Sequence, residues 1–76
     1  MLVEVITPDK VVFSGEALSI KLPGSSGEFE ALNNHAPLIS SLDKGSVVVK
    51  TSEGEKSFDI TGGIVEILNN KVIVLA

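Results

Sequence analysis

Leu18-Ser19-Ile20-Lys21-Leu22 alternates apolar and polar side chains and then stops at Pro23-Gly24. The same kind of segment recurs along the whole chain: Leu2–Ile6, Val11–Phe13, Leu18–Leu22, Phe29–Leu32, Leu38–Leu42, Val47–Thr51, Ser57–Thr61, Ile64–Leu68 and Val72–Leu75. Turn residues (Pro, Gly, Asn, Asp, Ser) separate them. Alternation puts successive side chains on opposite faces of a strand, and no segment carries the period of a helix. Only the stretch after Pro37 has room for a helical turn, and its β-branched, serine-rich content argues against one. The pattern predicts an all-β fold, a flattened β-sandwich or barrel.

The second half is the more explicit. Val47–Thr51 and Ser57–Thr61 flank a Ser52-Glu53-Gly54-Glu55 turn, with Phe58 and Ile60 expected to point inward. Gly62-Gly63 marks a reversal or bulge. Asn69-Asn70 joins the last two segments, and both asparagines suit the positive φ of a two-residue turn.

Seventy-six residues make one domain, 1–76, with no room for a second core. With no cysteine, neither disulfides nor thiolate metal sites contribute, so the fold must rest on ten Val, seven Ile, eight Leu and three Phe. The net charge is −4, and all six basic residues are lysines. A chain without a basic stripe or aromatic platform is a poor nucleic-acid binder, and anionic lipid would repel it. No stretch approaches the roughly 18 apolar residues of a membrane span. Glu4 interrupts anything like a signal peptide. These features predict a cytosolic chain with no direct membrane insertion, attached to a membrane assembly through protein partners of basic or apolar surface.

Catalytic constellations are weak. Pro23-Gly24-Ser25-Ser26-Gly27-Glu28 resembles a phosphate cradle only superficially, because no Gly-Lys-Ser/Thr leads into a helix. Glu28 and Glu30 share one face of a strand with Phe29 turned to the core, which suits a solvated surface or a charged docking contact better than acid/base chemistry. His35 has no second histidine or cysteine to share a metal and no serine–acid partner, and reads as a hydrogen-bonded loop residue. Val11-Val12, Val47-Val48-Val49 and Val72-Ile73-Val74-Leu75 put apolar side chains on both faces of their strands. Either these are scattered surface hydrophobes, or another subunit covers one outer face.

Three blocks carry a resemblance over the whole chain. They are Thr7-Pro8 with Phe13-Ser14-Gly15-Glu16-Ala17; Gly27-Glu28-Phe29 through Asn34-His35-Ala36-Pro37-Leu38 to Lys44-Gly45; and Phe58-Asp59-Ile60-Thr61-Gly62-Gly63-Ile64-Val65-Glu66-Ile67, closing at Val74-Leu75-Ala76. In order and spacing they resemble the N-terminal domain of the epsilon subunit of F-type proton-translocating ATP synthases.

The resemblance implies a sandwich of about ten short strands in two five-stranded sheets. It implies a non-catalytic rotor subunit of the central stalk, with no cofactor, that joins the gamma subunit to the membrane c-ring and couples proton flow to ATP synthesis. Glu28, His35, Ala36 and Pro37 are then expected to face the c-ring, and Thr7 and Ser40 to face gamma. The implied setting is peripheral, on the cytoplasmic face of a bacterial plasma membrane in preference to an organelle. Glu30 and Asn33 depart from the family's usual Gly and Pro. The sequence stops where most members continue into a helical hairpin, so neither autoinhibition nor ATP binding is expected. A free-standing β-sandwich adaptor, binding another protein through its valine-rich face, is the alternative.

Overall fold

The computed structural model describes every residue from Met1 to Ala76. It contains nine strands: β1 (Leu2–Ile6), β2 (Val11–Glu16), β3 (Ser19–Gly24), β4 (Gly27–Leu32), β5 (Leu38–Leu42), β6 (Gly45–Thr51), β7 (Gly54–Ile60), β8 (Gly63–Leu68) and β9 (Lys71–Leu75). They stack as two layers, β2-β1-β9-β8-β5 against β4-β3-β6-β7. β5 crosses from one layer to the other at Gly24, which pairs with Leu42 and joins all nine strands into one folded-over sheet. Asp43 N–H donates to Pro23 O (2.8 Å) and Ser25 N–H to Ser41 O (3.0 Å), which fixes that corner.

The all-β sandwich forms as expected, with a corrected strand count. The layers hold five and four strands instead of five and five. The nine strands coincide with the nine alternating segments; the tenth was implied only by the resemblance. β7 starts earlier than the alternation suggests, because Gly54 pairs with Thr51 and leaves Ser52-Glu53 as the turn.

Alternation decides the core. Val3, Val5, Val65, Ile67, Val72 and Val74 of the first layer meet Ile20, Leu22, Val47 and Val49 of the second, and each is at most 2% exposed. Branched side chains fill a pleated surface well, and burying each contributes roughly 1.5–3 kcal/mol. The sequence-distant strands β1 and β9 run parallel at the centre of the first layer, with Val3 opposite Val72 and Val5 opposite Val74. Phe58 is half-buried and Ile60 buried, both on the inner face.

Turn chemistry follows the residues. Asn69 (φ 52°) and Asn70 (φ 59°) both take the positive φ that their turn needs. At Gly63 (φ 147°) a Cβ would collide with the carbonyl of Leu75, so only glycine fits. Strand directions sort the loops onto two ends of the sandwich. Met1, the Asn33–Pro37 loop, Ser52-Glu53 and Asn69-Asn70 lie at one, called here the Asn70 end. Thr7–Lys10, Ser25-Ser26, Asp43-Lys44 and Thr61-Gly62 lie at the other, the Ser25 end.

Candidate functional site

The two outer faces differ in chemistry. On the β2-β1-β9-β8-β5 layer, cross-strand register builds three rows. The first runs Ser41, Ile64, Leu75, Ile6, Val11; the second Ile39, Glu66, Ile73, Glu4, Ser14; the third Leu68, Lys71, Leu2, Glu16. Apolar side chains dominate the first row and alternate with charged or polar ones in the other two. Ile39 (66% exposed), Leu68 (50%), Leu75 (49%) and Ile64 (42%) stand out to solvent. The β4-β3-β6-β7 layer is the reverse. Its outward rows are Leu32, Ser19, Lys50, Glu55, and Glu30, Lys21, Val48, Ser57, with Glu28 opposite Pro23 and Ser46 opposite Asp59. An outer face that exposes this many branched aliphatic side chains is suited to being covered, whereas the more polar ladder is suited to water.

Few of the sequence-singled residues lie on the apolar face. Glu28 is exposed near the Ser25 end of β4. His35, Ala36 and Pro37 lie in the loop that leaves the opposite end of β4. Four residue steps of strand, about 13 Å, separate Glu28 from Leu32 alone. The structure therefore does not bring Glu28 together with the His35-Ala36-Pro37 step, and one loop cannot present all four. Ser40 sits on the inner side of β5, opposite buried Val65, and its Oγ donates to Ser41 O (3.1 Å). Its neighbours Ile39 and Ser41 face outward instead. Thr7 holds its own turn: its N–H and Oγ1 both donate to Lys10 O (2.9 and 3.2 Å).

The Asn33–Pro37 loop is pinned by its asparagines. Asn33 Oδ1 accepts from the amino group of Met1, and Asn34 (φ 63°) donates its N–H to Asn70 Oδ1 (2.7 Å). This gives Asn33, a departure from the family pattern, a structural role. His35 Nδ1 lies 2.6 Å from Ala36 O, and the backbone N–H of His35 donates to Leu32 O (3.2 Å). Phe29 packs against the core and turns Glu28 and Glu30 outward, the latter opposite Lys21. No group of three or more His, Asp or Glu side chains converges to hold a metal, and no helix is long and apolar enough to cross a membrane.

Ile39, Ile64, Glu66, Leu68, Ile73 and Leu75 form one surface, of which the sequence pattern flagged only Ile73 and Leu75, through the Val72–Leu75 run. The Val72–Leu75 run signalled that apolar residues face both ways. Which face lies outside depends on strand order, which alternation alone does not reveal.

Residues 1–76 match the model of the ATP synthase Delta/Epsilon chain β-sandwich domain family. The ATP synthase epsilon chain of Bartonella henselae is 43% identical over 74 residues, 97% of this chain and 54% of that protein. The chloroplastic epsilon chain of Tetradesmus obliquus is 40% identical over 97% of this chain and 54% of its own length. The epsilon chain of Chlorobium limicola is 42% identical over 73 residues, 95% of this chain and 83% of its own. The chain thus spans about half the length of the first two relatives. A chain of the Euglena gracilis mitochondrial ATP synthase OSCP/F1/c-ring structure superposes with a TM-score of 0.89 at 19% identity, covering 97% of this chain and 48% of that one. One from the Tetrahymena thermophila mitochondrial ATP synthase central stalk/c-ring gives 0.84 at 17% identity, over 97% of this chain and 60% of that one. At those identities the likeness is one of fold.

Proposed function

The chain belongs to the family of the ATP synthase Delta/Epsilon chain β-sandwich domain, and from that premise we propose that it is a non-catalytic central-stalk subunit of a proton-translocating F-type ATP synthase. In this reading the apolar outer face of the β2-β1-β9-β8-β5 layer lies along the gamma subunit. The Ser25 end, with Glu28 at its rim, meets the polar loops of the c-ring. The domain then passes torque between shaft and ring and couples proton flow to ATP synthesis. It works at the cytoplasmic face of a bacterial plasma membrane, held there by its partners.

The single observation that carries this reading is the sidedness of the sandwich, with most of the exposed aliphatic side chains on one outer face and a more polar face opposite. A folded-over sheet with a close-packed aliphatic core resists deformation, as a torque-bearing part must. An acid at Glu28 suits charge-assisted pairing with a basic loop. The reading keeps Glu28 in the ring contact and leaves the His35-Ala36-Pro37 step out of it, because the two lie toward opposite ends of β4.

Gel filtration with the gamma subunit at micromolar concentration tests it. Co-elution is expected, and gamma eluting alone contradicts it. Crosslinking in cell extract that recovers another protein and no ATP synthase subunit would favour the adaptor alternative.

A further inference from the structure

Glu66 is the one charged group on the apolar face without a partner of opposite sign. The face carries Glu4, Glu16, Glu66 and Lys71 among its aliphatic residues; Lys71 Nζ lies 3.6 Å from Glu4 and, although it borders a groove that Glu66 also lines, makes no ion pair with Glu66. The only other ion pair joins the Met1 amine to Glu16 at 3.3 Å. Glu66 stands between Ile39 on β5 and Ile73 on β9, with Ile64 and Leu68 beside it on β8. It also lines three surface grooves, of about 300, 360 and 390 Å³.

In the free chain water solvates this carboxylate. Once the aliphatic residues around it are covered, the water must leave or be replaced. Burying an unpaired carboxylate carries a desolvation penalty that can cancel what the surrounding isoleucines and leucines contribute. A surface that covers the face and leaves this carboxylate charged must meet it with hydrogen-bond donors, and a lysine or arginine supplies both the donors and the compensating charge. A second copy of this chain fits badly, because a two-fold pairing about the centre of the face brings two Glu66 carboxylates toward each other.

We infer that Glu66 determines which protein this face accepts and in what register: its carboxylate receives a lysine or arginine from an otherwise apolar partner surface. This rests on the reading above, in which that partner is gamma. The cation then does for register what the aliphatic rows cannot. Apolar contact is non-directional and tolerates sliding, whereas a charge-assisted hydrogen bond in a desolvated setting has one geometry.

The test is the affinity of the intact chain for the gamma subunit of the same organism's ATP synthase, measured across a salt series. The variants are Glu66→Gln and, as a control with the same charge change on the opposite outer face, Glu55→Gln. Glu66→Gln keeps the side chain's shape, and a urea melt matching the parent verifies the fold. The expected result is a loss of about ten- to hundredfold for Glu66→Gln, with a flatter salt dependence, while Glu55→Gln binds as the parent does. If the parent binds gamma and Glu66→Gln binds equally well, the inference is overturned and the proposed function stands. If the parent itself fails to bind gamma, both fall.

Discussion

Phe13 on β2 and Phe58 on β7 meet across a seam that no backbone pairing crosses, their ring centroids 6.0 Å apart and tilted by 54°. These strands are the two far ends of the hydrogen-bonded order, so the aromatic pair closes the sandwich on the side where the sheet does not. Lys56 Nζ lies 5.6 Å from the Phe13 centroid and caps the contact. Phe13→Leu and Phe58→Leu are each expected to cost about 1–2 kcal/mol of stability. A double-mutant cycle by urea unfolding is expected to give about 0.5–1.5 kcal/mol of coupling. Additive losses would mean that the rings act only as separate core residues.

Two glycines with similar φ separate strain from crowding. Gly54 (φ 125°) has nothing within 4 Å of an added Cβ, whereas at Gly63 (φ 147°) the Cβ would overlap Leu75 O and lie 3.0 Å from Ala76 Cα. Gly54→Ala is expected to cost about 1 kcal/mol through backbone conformation alone. Gly63→Ala is expected to cost at least about 2–3 kcal/mol, because a neighbouring backbone must move as well. Chemical denaturation ranks them, and equal losses would contradict this account.

Asn70 does two jobs, turning the chain at φ 59° and accepting the N–H of Asn34. Asn70→Gly removes only the second, at an expected cost of about 0.5–1 kcal/mol. Asn70→Ala removes both and is expected to cost about 1–2 kcal/mol. Faster amide exchange at Asn34 in both variants would locate the loss in the hydrogen bond.

These turns and the core were largely legible in the residues. Alternation marked nine strands, Val47, Val49, Phe58 and Ile60 face inward as the pattern requires, and Asn69-Asn70 turns as its side chains allow. That one outer face could be apolar was legible in the valine runs; which face, and which residues build it, was not. That depends on β1 lying beside β9, which pairs Glu4 with Ile73 across most of the chain's length. No local pattern specifies that neighbour. Glu28 and His35 look close in sequence, but an extended strand between them spans much of the sandwich. For Ser40 the phase of the alternation decides: it lies on the inner side of β5 while Ile39 faces out.

Glu28→Lys is expected to weaken attachment to the c-ring and reduce proton-coupled ATP synthesis. Thermal unfolding of the isolated chain should stay within about 0.5 kcal/mol of the parent, because the side chain is exposed. Unchanged synthesis in membranes carrying this variant would remove Glu28 from the ring contact.

The affinity of gamma for two double variants tests the central claim most directly. One is Ile39→Ser with Leu75→Ser on the apolar outer face, and the other is Lys21→Ser with Lys50→Ser on the charged one. All four positions are exposed, so both variants are expected to fold. Calorimetric titration is expected to give at least about a tenfold loss for the first pair and less than about twofold for the second. Equal effects, or a larger loss from the lysine pair, would contradict the account.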